Sequence, residues 1–445
     1  MSAGLTIGLR RACDRAAGRW FPRLQEFCAV RSVAGDAEGM ARAVSTVQAW
    51  LTEAGARVVL LPSVRAPAVY GELGEGPVTV LFYNHYDVVD EGPGWTLPAF
   101  APRVRGKALY ARGAADNKGN LAARLAALEA MRDAGLTLPA RLKFLVEGEE
   151  EVGSPGLAGL VARHGRLLAA DCCVWEGGYR DARGRPTIRL GMKGLLRVEL
   201  RCRCLGADAH SKMAAVKKSA AWRLVWALAG LKGRDERVSV PGFYDAVTVP
   251  TADDLECLAG VEDEGAGVPP AELLPGIGPR EVTRRLLFSP TLNVSALRAG
   301  AGGGTVMPAE ASATLDIRLV PDQDPAEVER LLRGHLAADG FGDVEVALQA
   351  AARPCRTPPR SPVARAAREA AREVYGVEPA VYPLSPGSGP LHVVCGDRGL
   401  PAVAFGVGHD GSSTHGPDEN IRLEDFRQGV AMVVCTLLKL ASWGR

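Results

Sequence analysis

The nearly unbroken apolar run VTVLFYN at residues 78–84 constrains this chain more than any other feature. A strand apolar on both faces cannot lie at a water-facing surface of a sheet, so it must be covered on both sides. Helical spacing follows at 119–134, where Leu121, Leu125, Leu128 and Met131 recur on one face. A second strand fits 140–146, a helix starts near Pro155, and DCCVW at 171–175 reads as a third strand. Strand and helix in alternation imply an α/β fold, with a mostly parallel sheet and helices on both of its faces.

The pattern changes near Met192. LLRVELRCRC at 195–204 alternates apolar and charged residues, so one face of that strand meets water. Its edge is free, on this reading, to pair across a two-fold axis. A helix is expected over about 214–231, then an irregular stretch to about Arg285, then strands at 290–297, 311–320 and 343–349. Between the last two strands Asp324 can cap a helix, with Pro325 at its first position and Glu327 as capping-box partner. The order βαββαβ describes a small helix-on-sheet domain inserted into the first. Parallel-sheet grammar then returns: a helix from Ser361-Pro362 to Tyr375-Gly376, a buried strand at 400–407 and a closing helix at about 423–443. The expected division is 1–192 and 351–445 for one domain, interrupted by 193–350.

With 53 basic against 51 acidic side chains, the chain has no broad electrostatic footprint, and neither nucleic acid nor an anionic membrane is an expected partner. The N-terminal residues lack a signal-peptide core, and no run is long enough to cross a bilayer. The ten cysteines include no CxxC spacing, so reduced, mostly buried thiols and a cytoplasmic location are expected.

Acidic residues and histidines gather just past the expected strands. His85 and Asp87 follow the first, Glu147, Glu149, Glu150 and Glu151 the second, Glu176 the third and His415 the 400–407 strand; Asp116 precedes the 119–134 helix. Open α/β sheets bind ligands at the carboxyl ends of their strands. Five segments therefore bring metal-ligand side chains toward one sheet edge. His85 and Asp87 are two apart in an extended chain and share a face, as suits a ligand imidazole oriented by a carboxylate. The adjacent Glu150 and Glu151 point in different directions, so one can bind metal while the other faces water. His409 is a rival to His415.

HisTyrAsp (85–87), GlyAlaAlaAspAsnLysGly (113–119), GluGlyGluGluGluValGlySer (147–154) and AspAlaHisSer (208–211) resemble the motifs of the aminoacylase, carboxypeptidase-G and carnosinase family of metallopeptidases. ThrValMetPro (305–308) fits as well, and ArgLeuValProAspGlnAspPro (318–325) is most similar to the carnosinase-like dipeptidase branch. The resemblance implies a zinc-hydrolase catalytic domain carrying a lid and dimerisation domain. It implies two divalent ions per chain, zinc ahead of manganese or cobalt, with Asp116 bridging, Glu151 and His415 on one ion, and His85 and Glu176 on the other. The three ligand carboxylates and one hydroxide would balance the four charges of the ions. Glu150 would be the general base, Asp87 the partner of His85, and His210 would reach a partner subunit's site to stabilise the oxyanion. Arg318 would bind the substrate carboxylate, Thr305, Gly387 and Ser388 would add hydrogen bonds there, and Asn293 is a further substrate-binding candidate that could equally be a structural strand residue. A cis Asp116–Asn117 peptide also follows from the family pattern.

The expected reaction is hydrolysis of the peptide bond of a dipeptide or similar small substrate with a free carboxylate, in a homodimer joined through the lid. An N-acyl-amino-acid deacylase with the same centre is the alternative. A non-catalytic metal-binding module is disfavoured, because neither Glu150 nor His210 is needed to hold metal.

Overall fold

The computed structural model describes residues 5–261, 268–300 and 304–443. The apolar run forms the strand Thr79–His85, buried along nearly its whole length. It lies between Arg141–Glu147 and Cys172–Trp175 and runs parallel to both. Its side chains alternate between two cores. Val80 and Phe82 join one, formed with helices Ile7–Cys28, Ala37–Glu53, Lys118–Asp133, Pro362–Tyr375 and Leu423–Trp443. Leu81 and Tyr83 join the other, formed with Leu157, Leu160 and Leu391 on the opposite face. Covering on both faces is the condition that the continuous apolar run demands.

The sheet has eight strands, in the order 57–61, 68–73, 141–147, 79–85, 172–175, 402–404, 187–189, 380–382. Its centre is parallel, whereas the first two pairings and the 402–404/187–189 pairing are antiparallel. The parallel strands end together, which delivers His85, the glutamate run and Glu176 to one edge.

Gly191–Arg203 links this sheet region to a second one. Its first residues pair with Cys355–Arg356 and Ser385–Ser388, and the rest runs antiparallel between Glu310–Leu319 and Glu345–Ala352. Thr291–Ala299 completes the second sheet beside Glu310–Leu319. Leu196, Val198, Leu200 and Cys202 face a separate core, with Leu224 and Leu231 of helix Ala220–Leu231 and Val328 and Leu332 of helix Pro325–Ala338. Arg197, Arg201 and Arg203 face water.

Several expectations need correction. The 195–204 strand is paired on both sides, so it has no free edge; Thr291–Ala299 and Glu345–Ala352 flank the second sheet instead. The stretch taken as irregular contains helices Ala252–Ala259 and Pro279–Phe288, the first closed by a capping box of Thr251 and Asp254. Asp324 does cap its helix, but Glu327 turns away to pair with Arg330. The strand expected at 400–407 is confined to Ala402–Ala404, and the helix expected from 214 begins at Ala220. The ten cysteines are free. Among the described residues no helix is long and apolar enough to cross a membrane.

Candidate metal centre

His85 is the last residue of its strand and is 1% exposed. Its Nε2 lies 3.0 Å from Asp116 Oδ1 and 3.5 Å from Glu176 Oε2. The nearest partner of Nδ1 is the Asp87 main-chain carbonyl, at 3.0 Å, with the Asp87 carboxylate at 3.5 Å. That carboxylate also accepts the Glu151 amide at 3.0 Å, so Asp87 ties His85 to the glutamate turn. The other oxygen of Asp116 is 3.2 Å from His415 Nε2, and Glu151 Oε2 is 3.1 Å from the same nitrogen. Asp116 thus stands between two imidazoles. The Asp116–Asn117 peptide is cis.

Ligand atoms of His85, Glu150 and Glu151 lie within 4.8 Å of one another, and so do those of Asp116, Glu151 and His415. These groups could hold two ions. Glu176 approaches His85 from the neighbouring strand, so Glu150 and Glu176 both border the His85 side. Glu151 Oε1 and Glu176 Oε2 are buried without a hydrogen-bond partner among the described residues. Buried acceptors left unpaired are costly, and several carboxylates crowd only two imidazoles, so the donor set fits divalent cations.

Titration in the metal-free chain reflects the same crowding. Burial, with Glu151 and Asp116 adding to it against an opposing pull from His85, pushes Glu150 up to about 7. Burial raises Glu176 further, well above the carboxylate range. Hydrogen bonds to Asp116 and Glu151 lift His415 to about 10. Burial opposes ionisation of Asp116, but the two histidines outweigh it and hold its carboxyl below its ordinary value.

The four-acid run divides. Glu150 and Glu151 start a short helical turn at the site. Glu149 turns back to accept the amides of Arg65, Ala66 and Gly156, and Glu147 accepts from Tyr83 and from Ser154 at 2.9 Å. The rival His409 is engaged with Asn420 at 2.9 Å.

Arg318 donates to Ser388 Oγ at 3.0 Å and to Asp316 at 3.1 Å. The Gly387–Gly389 turn runs from there toward Glu150: a Cβ added at Gly389 would lie 3.9 Å from Glu150 Oε1. A cavity of about 510 Å³ opens beside Asp116, Glu176, Met192 and Ser385. His210 and Thr305 cluster elsewhere, on a two-stranded ribbon where His210 pairs with Val306 and Ser211 donates to the Thr305 carbonyl. Asn293 is exposed on the edge strand. No hydrogen bond or ion pair among the described residues joins these three to the carboxylate cluster of their own chain.

Sequence reasoning passed over three residues that build this site. Arg124 is 2% exposed and donates to the Tyr83 and Trp175 carbonyls and the Asn84 side chain, joining the strands that carry His85 and Glu176. Its signal was available: an arginine beside Leu121, Leu125 and Leu128 on an apolar face. Burial pulls it down to about 10. Arg112 and Glu419 form a fully buried ion pair at 2.9 Å behind Asp116.

A family model, Peptidase family M20/M25/M40, matches residues 81–439. The chain is 33% identical to the M20 family metallo-carboxypeptidase Sso-CP2 of Sulfolobus solfataricus, with a TM-score of 0.88, covering 95% of this chain and 99% of that one. It is 28% identical to the human Beta-Ala-His dipeptidase over 398 residues, 84% of this chain and 78% of that protein. It is 26% identical to the Cys-Gly metallodipeptidase dug1 of Schizosaccharomyces pombe over 406 residues, 84% of this chain and 83% of that protein.

Proposed function

The chain belongs to peptidase family M20/M25/M40, and from that premise we propose that it is a metal-dependent peptidase hydrolysing the peptide bond of dipeptides, or of similarly small substrates with a free carboxylate. One observation carries this reading: Asp116 lies within hydrogen-bond distance of His85 on one side and His415 on the other, with Glu151 and Glu176 closing the two ends. His85 and Glu176 would hold one ion, Glu151 and His415 the other, and Asp116 both. Zinc is the proposed metal. When bound, two divalent ions supply Lewis-acid polarisation of a carbonyl and acidification of water.

The chain's own residues account for the rest. Glu150 stands half-buried beside the ligands without being assigned to either ion, placed to accept a proton from attacking water and return it to the leaving nitrogen. Arg318, steadied by Ser388 and Asp316, offers a planar fork to the substrate carboxylate. The metallo-carboxypeptidase and dipeptidase relatives both support such a substrate. A panel of dipeptides, longer peptides and N-acyl amino acids, assayed with zinc, manganese and cobalt, tests the reading. Hydrolysis confined to N-acyl amino acids would favour the deacylase alternative.

The second sheet is proposed as a lid and dimerisation domain spanning 193–350, in a chain that works in a reducing compartment. Trp222 and Trp226 stack at 5.9 Å on the Ala220–Leu231 helix yet are 59% and 56% exposed, with Val225 beside them. Together with the flanking strand Thr291–Ala299, they offer a surface for a second copy. In such a dimer, the exposed His210 would serve the partner subunit's site as an oxyanion donor. Mixing Glu150→Ala chains with His210→Ala chains tests this: exchange should regenerate one intact site per mixed dimer, and verified mixed dimers without activity would reject action across subunits.

A further inference from the structure

We propose that the buried Arg112–Glu419 pair is the positioning device of the metal centre, locking the Asp116 loop to the His415 loop, and that the ion held by Asp116, Glu151 and His415 depends on it. This inference rests on the metal-site reading above. Neither residue approaches as a ligand, and both act through the main chain of residues that do.

Glu419 is 0% exposed. Its Oε1 accepts the amides of Ala115 at 2.8 Å and Asp116 at 3.0 Å, and its Oε2 accepts the Gly113 amide at 3.0 Å and Arg112 Nη1 at 2.9 Å. One carboxylate therefore fixes three main-chain amides within the four residues that end in Asp116. Its own main chain is anchored by the Ala111 amide at 2.9 Å and by the strand Asn420–Arg422, paired with Ala108–Tyr110. Arg112 works in the other direction. Its Nη2 donates to the carbonyls of Asp90 and Glu91, at 3.2 Å each, and to the His415 carbonyl at 3.3 Å. A single guanidinium thus spans Glu419 and the residue proposed as a metal ligand.

The His415 loop needs such a hold. Ser413, His415 and Asp418 have φ of 52°, 63° and 56°, left-handed values that residues with side chains disfavour. A loop with three such residues relaxes unless contacts over-determine it. Within the loop the Gly416 and Asn420 amides donate to the Ser413 and Ser412 carbonyls and Asn420 Nδ2 to the Asp418 carbonyl. From outside, the main chain on either side of His415 is held by Arg112 on the His415 carbonyl and by Thr96, whose amide and hydroxyl each donate to Asp418 at 3.0 Å. His415 itself is exposed, so packing does not pin it. By contrast, His85 ends a buried strand and needs no such support. Loss of the pair should therefore weaken the two ions unequally.

The test compares Arg112→Lys, Glu419→Gln and the double variant Arg112→Met/Glu419→Gln. Lysine keeps a cation against Glu419 but cannot fork to the His415 carbonyl. The double variant removes both charges together and leaves no lone buried ion if a single change impairs folding. Each metal-free chain is titrated with Co²⁺, following visible absorption for the affinity of each ion, and is melted without metal. Hydrogen exchange at the Gly113, Ala115 and Asp116 amides reports the loop directly. We expect the ion held by Asp116, Glu151 and His415 to lose about 10–100-fold in affinity, as supporting partners of ligands typically cost. The ion on His85 and Glu176 should change less than this, the metal-free melting point should stay near wild type in Arg112→Lys, and exchange should quicken in Glu419→Gln. Two unchanged affinities in folded variants would overturn the proposal, as would equal weakening of both ions in step with a falling melting point. A wild-type chain that takes up no pair of ions would instead overturn the metal-site reading itself.

Discussion

Gly119→Ala separates the geometry of the site from the stability of the fold. A Cβ at Gly119 would stand 2.0 Å from the Ala114 carbonyl oxygen, 3.2 Å from its carbon and 3.3 Å from Val407 Cγ2. Ordinary carbon–oxygen contacts are about 3.3–3.6 Å, so the loop must retreat by more than about 1 Å. Ala114 lies within the segment whose amides hold Glu419, two residues before Asp116. The helix Lys118–Asp133 is packed on its apolar face, so the loop moves and carries Asp116 with it. Alanine gains about 0.8–1.0 kcal/mol of helix propensity over glycine, and overpacking costs about 1–3 kcal/mol. The net destabilisation is therefore about 0–2 kcal/mol. Misplacing a reacting group by about 1 Å costs about 10²-fold in rate. Dipeptide kcat/KM should thus fall by about two orders of magnitude while urea unfolding moves only slightly. A variant with near-normal kcat/KM would refute the argument that this glycine makes room for the Asp116 loop.

Two further outcomes follow from side chains around the centre. Burial pushes Glu147 up to about 7 in the folded chain, above its ordinary value of 4.5. For an acid shifted upward, ionisation costs the folded state stability as pH rises from about 4.5 to 7, by at most about 3 kcal/mol. Metal-free Glu147→Gln should therefore gain about 1–3 kcal/mol relative to wild type between pH 5 and pH 8 in urea melts; a constant or opposite difference would contradict the shift. Arg318→Met should raise KM for free-carboxylate dipeptides at least tenfold with a smaller change in kcat, since a charged hydrogen bond is worth about 1.5–3 kcal/mol, and should leave carboxamide analogues unaffected.

Much of the architecture was legible because burial leaves patterns. The 78–84 run, the leucines of 119–134 and the alternation in 195–204 each encode how many faces meet water. The strands 57–61 and 68–73 were not read: they are short, and their antiparallel pairing carries no strand–helix–strand rhythm. The helix Ala252–Ala259 was missed although Thr251 and Asp254 spell its capping box. At the site, spacing assembled the ligand candidates, because strand ends in a parallel sheet converge. It could not divide Glu147 and Glu149 from Glu150 and Glu151, since that depends on which backbone amides turn toward each carboxylate. Nor could it link Arg112 with Glu419, 307 residues apart in sequence.

The central claim is that Glu150 moves protons while Glu151 holds metal, and metal content measured beside dipeptide hydrolysis in Glu150→Gln and Glu151→Gln tests it most directly. Glu150→Gln should retain two divalent ions per chain yet lose about 10²–10⁴-fold in kcat, the usual worth of a positioned proton-transfer group. Glu151→Gln should lose metal. Glu150→Gln chains that shed an ion, or that keep both ions and near-normal kcat, would contradict the assignment.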